Sequence, residues 1–322
     1  MWTPLHASVH TTLKQKQLLG TGERVLLAVS GGQDSLCLLQ LFLDLGKKWS
    51  WDLAIAHCDH RWSYDLGLAE HVETLAERYG LPFYLKTASG LQETEAAARN
   101  WRYQALTDIA QRGGFTAIAT GHTQTDQAET FFYNLLRGTG ADGLTALTWQ
   151  RPLSPTLRLV RPLLDISRTE TLAFCQLLEL LIWEDAANQE LKYARNRIRA
   201  KVFPYLQEHF NPQLEKALAQ TAELLRAEVD YLEVLAQEVL EKAIHPELNQ
   251  LHRVILRPIP LALQRRVIRQ FLSRVLHKAS GFEAIESVVS LINAPHRSCT
   301  STLKKGVIAT VEGDWIQIKL LG

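Results

Sequence analysis

The pattern of apolar and polar positions divides the chain into two parts with different rhythms. In the first, short apolar runs recur at 24–29 (RVLLAV), 52–58 (DLAIAHC), 82–87 (PFYLKT) and 115–120 (FTAIAT). Their length and β-branched content predict strands. Between them lie stretches with helical spacing at 35–45, 67–79, 92–112 and 124–137. Strand and helix in alternation predict a parallel sheet wound with right-handed crossovers. The segment SLCLLQLFLDL (35–45) is apolar on nearly every side, which predicts a helix buried all round, with Gly46 as its C-cap.

After residue 140 the alternation stops. LVRPLLDISRTETLAF (159–174) reads as a loop leading into a helix from Ser167, with Glu170 completing a capping box. A long charged and leucine-bearing helix is expected over 211–243, Asn211 as cap and Pro212 in its first position. Helices follow at 261–277 and 281–292, and GVIATV-EGD-WIQIKL closes the sequence as a hairpin. The expected fold class is α/β: a doubly wound parallel-sheet domain over 1–208, then a smaller, mainly helical domain over 209–322 ending in the hairpin.

Composition narrows the function classes. Of 322 residues 46% are hydrophobic and 21% charged, an ordinary folded composition. No apolar run reaches the ~18 residues of a membrane span. The start, MWTPLHASVH, lacks the basic stretch and apolar core of an export signal, so no membrane partner and a cytoplasmic location are expected. Cys37, Cys58, Cys175 and Cys299 form no C-x-x-C pair, which speaks against a disulfide framework, a zinc ribbon and an iron–sulfur site. His57, Cys58 and His60 alternate at a strand end and read as packing, because structural zinc takes four ligands. His245, His252, His277 and His296 read as structural. With net charge +1, any RNA binding needs positive charge concentrated locally.

The first candidate site is Ser30-Gly31-Gly32-Gln33-Asp34-Ser35, set directly between the first strand and its helix. Ligands of open parallel sheets bind beyond the carboxyl ends of strands. Glycines let the backbone approach a ligand, and the free N–H groups of a helix N-terminus favour an anion. The loop therefore reads as a phosphate cradle without a lysine. Asp34 would repel phosphate unless a cation stands between them, which Mg²⁺ does with a carboxylate and phosphate oxygens. The plain alternative is a turn and a helix cap.

The second is TGHTQTDQAETFFYNLLRGTG (120–140), beyond the fourth strand. At 100° per residue Asp126, Glu129, Thr130, Tyr133 and Arg137 share one side of a helix, and Ala128, Phe131, Phe132 and Leu135 the other, expected to pack on the sheet. The competing reading is a solvated face; the acids' place in the first turns, after His122 at a strand end, favours a site. A third block, KYARNRIRAK (192–201), carries Lys192, Arg195, Arg197, Arg199 and Lys201 with no acid, and reads as an RNA-phosphate contact. Arg99, Arg102 and Arg137 are further candidates for neutralising phosphate. So, for RNA backbone, are Arg265, Arg266, Arg269 and Arg274.

SGGQDS resembles the pyrophosphate loop of the ATP pyrophosphatases. H-x-x-x-D-Q-A-E-T…L-L-R-G-x-G-x-x-G-L narrows the resemblance to the tRNA(Ile)-lysidine synthetases, and HCDHRW (57–62), EAAARNWRYQAL (95–106), VRPLLDISRTE (160–170) and 183–206 agree in order. The resemblance covers residues 20–206. Thr125 stands where that family commonly has a first aspartate, and DHRW departs from its usual histidine–glycine continuation.

The resemblance implies an ATP-dependent ligase for tRNA processing. ATP adenylates the C2 oxygen of the wobble cytidine in a CAU-anticodon isoleucine tRNA. Free L-lysine then displaces AMP, pyrophosphate having left, and codon reading changes from AUG to AUA. It implies phosphate binding by Ser30 to Ser35, Mg²⁺ at Asp34, lysine binding and deprotonation at Asp126 and Glu129, contact of His122 with phosphate or cytidine, and a catalytic Arg195. A homodimer is left open. The rival readings are a cytidine thiolase, weakened by the missing C-x-x-C; a small-molecule synthetase, with little use for the basic block; and an RNA-binding module with a decayed ATP site.

Overall fold

A computed structural model describes residues 2–62, 66–183, 193–277, 280–303 and 306–320. Two compact units emerge, 1–223 and 224–322.

The first unit is built on a six-stranded sheet. Its strands are β1 (Arg24–Ala28), β2 (Asp52–Asp59), β3 (Phe83–Thr87), β4 (Ala117–Thr120), β5 (Gln150–Ser154) and β6 (Leu157–Val160), in the order β3-β2-β1-β4-β6-β5. All pair in parallel except β5 with β6. The helices α1 (Pro4–Gln15), α2 (Gln33–Trp49), α3 (Leu68–Tyr79), α4 (Glu95–Gly113) and α5 (Gln124–Leu136) flank it. The α/β class and the four expected strands stand as read. The chain runs from β1 outward through β2 and β3, then returns to β4 on the other side of β1. The carboxyl ends of β1 and β4 thus form the crevice where such sheets hold ligands.

The helix after β1 is buried nearly all round, as its composition dictates: Leu36, Leu38, Leu41, Phe42 and Leu45 are each at most 3% exposed. It does not stop at Gly46. It runs to Trp49, and Ser50, at φ 55°, ends it. Gly46 is instead where the helix crosses β2, since an added Cβ would lie 3.3 Å from Leu53 Cδ1.

Several elements escaped the sequence reading. Helix α1 begins at the terminus, with Thr3 as cap and Pro4 in its first turn. The hairpin β5–β6 lies almost wholly before the stretch read as loop, where no element was expected. Its Pro152 hides the strand pattern, and β5 is an edge strand, where a missing N–H is tolerated. In the second unit, β7 (Gln250–His252) is only three residues long. The long helix starts at Leu214, not at Pro212, because Asn211 Oδ1 accepts the Gln213 amide (2.9 Å) and makes a turn first. The division at 223/224 falls later than the expected 208/209. Leu214 and Leu218 pack with Ala128, Ile198 and Phe203, which ties the start of that helix to the first unit.

The second unit packs helices around Leu240, Val267, Phe271, Val288 and Ile316. It also holds a three-stranded antiparallel sheet, β7-β9-β8, in which β8 (Val307–Glu312) and β9 (Trp315–Leu320) are the expected hairpin. Its Gly313 sits at φ 60°, as a two-residue turn requires. Arg265 pairs with Glu286 (2.7 Å), and Arg266 and Arg269 both reach Glu233. Three of the four arginines read as an RNA-facing set are therefore used within the unit. No helix is long and apolar enough to cross a membrane among the described residues.

Candidate active site

A cleft of about 400 Å³ opens at the β1/β4 crevice, and residues lining it lie between Ala28 and Arg199. Ser30, Gly32, Gln33, Asp34 and Ser35 form one wall. Gly31 lies beneath them at φ 80°, where an added Cβ would stand 2.6 Å from Leu68 Cδ1. The Trp183 amide donates to its carbonyl (3.0 Å). Ser35 Oγ fixes the turn: it donates to the Gly32 carbonyl (2.8 Å) and accepts from the Ser30 amide (3.2 Å). The Gln33 carboxamide is engaged behind the loop, donating to the Arg168 carbonyl (2.7 Å) and Thr171 Oγ1 (3.0 Å).

Asp34 is held by the helix Arg168–Leu177. Thr171 Oγ1 donates to its Oδ1 (2.5 Å), and Arg168 Nε lies 3.4 Å from its Oδ2. Burial pushes its carboxyl above the ordinary range, against the pull of Arg168 and of the Thr171 and Gln33 donors. The helix that supplies these partners begins with the expected Ser167–Glu170 capping box. Arg168 lies within a stretch that carried the family resemblance, so it was within reach of the sequence; its pairing with Asp34 was not.

Gly121 brings the second wall against the first. A Cβ there would sit 2.7 Å from the Asp34 carbonyl oxygen and 2.9 Å from its carbon. No flexible side chain is available to yield, so the backbone must. Gly121→Ala is expected to separate the two strand ends and weaken ATP binding at least tenfold, read by calorimetric titration, with the fold kept by circular dichroism.

His122 follows. Its Nδ1 is hydrogen-bonded to Thr120 Oγ1 (2.8 Å). Burial, with Arg161, Arg102 and Arg99 nearby, holds it far below the usual histidine range against the pull of Asp126, so it is a neutral imidazole. Asp126 caps its own helix, Oδ2 accepting from the Thr123 amide (2.8 Å) and Oγ1 (3.0 Å). Its Oδ1 stands 3.9 Å from Arg199. Burial raises the Asp126 carboxyl, but His122, the Thr123 donors and Arg199 together bring it below the ordinary value. It is the open carboxylate of the cleft.

Glu129 differs. Only 2% of its side chain is exposed, and both oxygens take the Arg199 fork, at 2.5 and 2.9 Å. Burial drives its carboxyl up while Arg199 pulls it down; with both oxygens on one guanidinium, the ionised pair is the state this geometry describes. The two acids are thus not equivalent. Neither is the expected apolar face: Ala128 packs on Ile198 and Phe203 rather than on the sheet, and Leu135 is exposed. Thr125, in place of the family's first aspartate, donates to Glu215 (2.5 Å), a bond two carboxylates could not make.

The basic block splits. Arg195 lines the cleft and pairs with Glu95 (3.2 Å). Arg199, expected on RNA, is turned inward onto Glu129. Arg197 and Lys201 are exposed, and Lys192 lies outside the described residues. Arg195, Asn196 and Arg199 share the face that lines the cleft, as their helical spacing allows, and a π-helical stretch at Ile198–Val202 follows. Arg99 and Arg102 line the cleft; Arg137 is exposed at the far end of α5.

Burial pushes the Cys58 thiol in the cleft up to about 11, so it is no ready nucleophile. No group of three metal-ligating side chains occurs among the described residues. His57 instead donates to the Val29 carbonyl (2.8 Å), tying β2 to β1. Burial, then Arg102 and His57, lower His60 to about 4 from 6.5. Its neutral form is favoured on folding, so below about pH 6.5 the unfolded chain takes up a proton that the folded chain refuses until about pH 4. Stability is expected to fall with pH across that window. His60→Gln should remove part of the fall, measured by urea melts at pH 7 and pH 5.

Phosphate loop, parallel sheet and acid-bearing crevice together define an ATP-binding domain of the PP-loop class. The family described as a PP-loop domain matches residues 5–206. The tRNA(Ile)-lysidine synthase of Nostoc sp. (strain PCC 7120) is 54% identical over 99% of this chain and 98% of its own length. That of Synechocystis sp. (strain PCC 6803) is 52% identical over 98% of each, and the chloroplastic one of Zygnema circumcarinatum is 36% identical over 86% and 76%. The chain belongs to the tRNA(Ile)-lysidine synthase family of ATP-dependent ligases. A U34-tRNA thiolase of Methanococcus maripaludis shares the fold, with a TM-score of 0.59 at 18% identity over 69% of this chain and 78% of that one. Arg61, after His60, takes the left-handed region at φ 57°, its amide donating to Asp59 Oδ1 (2.7 Å).

Proposed function

We propose that this chain forms lysidine at the wobble cytidine of the CAU-anticodon isoleucine tRNA in the cytoplasm, from ATP and free L-lysine. The observation that carries the reading is the juxtaposition, through Gly121, of the phosphate loop with an open carboxylate, Asp126, at one strand crevice. The C2 oxygen of cytidine attacks the α-phosphorus and pyrophosphate leaves. The lysine ε-amine then attacks C2, and AMP departs with the former C2 oxygen.

Each residue has a task in this scheme. The backbone of Ser30 to Ser35 and the N-terminus of α2 hold the phosphates. Asp126 Oδ1 binds the lysine ammonium and accepts the proton its amine must lose. Glu129 does not serve as a second base; it fixes Arg199 beside Asp126. Arg195 stands for phosphate charge as the AMP leaves. Neutral His122 donates to the α-phosphate or to cytidine.

Mg²⁺ fits Asp34, whose single carboxylate beside the loop suits an ion held mainly by phosphate oxygens and water. Bound there it would neutralise phosphate charge beside the loop. Residues 209–322 orient the tRNA in this scheme.

The test is incorporation of radiolabelled lysine into an unmodified isoleucine tRNA bearing CAU, with the methionine tRNA as control. Label in the isoleucine tRNA alone supports the reading. AMP release without label revives sulfur transfer, and no ATP cleavage with either tRNA removes the reading.

A further inference from the structure

One wall of the cleft is aromatic, and the chemistry above does not use it. His60 and Trp62 both line the cleft at the end of β2. Their rings stack at 4.9 Å between centroids and 24° between planes. Trp101, from α4, meets His60 edge-on at 5.2 Å. His60 Nε2 is buried with no hydrogen-bond partner.

The same helix brings Arg99 and Arg102 to this wall. Among the described residues neither forms an ion pair with a carboxylate. Arg99 lies over the Tyr103 ring, 5.3 Å from its centroid. Aromatic rings beside unmatched arginines are what single-stranded nucleic acid uses, the bases stacking and the guanidinium groups meeting phosphate.

We propose that His60 and Trp62, with Trp101 buttressing His60 from outside the cleft, form a stacking platform for an unpaired anticodon-loop base beside the wobble cytidine, with Arg99 and Arg102 neutralising the phosphate that carries it. The proposal rests on the RNA reading above and names the part of the cleft that grips the loop. Packing alone explains the ring contacts, but not a platform open to the cleft with an unpartnered nitrogen. The adenine of ATP is the other nucleobase at hand. Its phosphates are taken by the loop at 30–35, which leaves the two arginines unmatched; an RNA base arrives with a phosphate of its own.

Trp62→Ala, Trp62→Phe and Trp101→Ala test it. Lysine transfer is measured against tRNA and against ATP concentration, and ATP binding without RNA by calorimetry. In parallel, a CAU stem-loop RNA carrying 2-aminopurine for its middle anticodon base is titrated with each protein. Loss of one stacked base corresponds to roughly five- to 140-fold. Trp62→Ala is expected to raise KM for tRNA within that range and to leave kcat and KM for ATP unchanged. Trp62→Phe should recover most of the loss, and 2-aminopurine fluorescence should be quenched by the wild type but not by Trp62→Ala. A rise in KM for ATP with tRNA unaffected would assign the rings to adenine and overturn the proposal. Unchanged constants with lowered melting temperature would reduce the cluster to packing and overturn it too. Quenching by a wild type that transfers no lysine would remove the reaction and keep the platform.

Discussion

Asp126→Asn is expected to leave the chain folded and able to bind ATP while cutting lysine transfer by about 10²- to 10⁴-fold, the range of a lost general base. The separation of the two effects follows from the two oxygens. Oδ2 belongs to the fold, accepting both Thr123 donors at the start of α5, and an asparagine oxygen can take its place. Oδ1 belongs to the cleft. Asparagine there carries no charge for an ammonium and accepts no proton at neutral pH. Asp126→Ala would confound the two, adding about 1 kcal/mol for the lost cap. The measurement is single-turnover transfer at saturating ATP, with the melting temperature recorded beside it. A variant that lost ATP binding as well would place Asp126 in the structure of the cleft instead of its chemistry.

The second large effect concerns stability. Glu129→Ala leaves Arg199 facing an emptied, desolvated site, and breaking a buried pair from one side costs about 3–5 kcal/mol. The Arg199 side chain retains 27% exposure, which favours the lower end. At roughly 2–4 °C per kcal/mol, the first melting transition should fall by about 6–12 °C. Glu129→Leu combined with Arg199→Met should recover most of that loss, because an apolar pair removes both desolvation costs. Activity should stay lost in the double variant, since Arg199 also stands beside Asp126. Recovery of both would make the pair purely architectural.

The sequence carried the sheet because its inner strands β1, β2 and β4 are mostly apolar runs, and the phosphate loop because glycines fall between strand and helix. It did not carry β5, whose proline sits on an edge, nor α1, whose cap lies at the terminus. At the site, residue types were legible and pairings were not. Asp126 and Glu129 share a helical stripe, yet one caps its helix and faces the cleft while the other is sealed by Arg199. That distinction depends on Arg199, which takes both Glu129 oxygens from far along the chain, and no hydrophobic period announces it. Arg168 and Gly121 were missed for the same reason: their meaning lies in what stands opposite, the Asp34 carboxylate and the Asp34 backbone, each far away in sequence.

The most direct test of lysidine formation in this cleft follows one oxygen atom. The isoleucine tRNA would be made with heavy oxygen at C2 of the wobble cytidine and incubated with the protein, Mg-ATP and lysine, and the released AMP weighed by mass spectrometry. If this cleft adenylates that oxygen, each AMP formed with lysidine carries the heavy isotope. AMP of ordinary mass accompanying lysidine formation would mean that the oxygen leaves by another route, and the roles proposed for the loop and for Asp126 would be wrong.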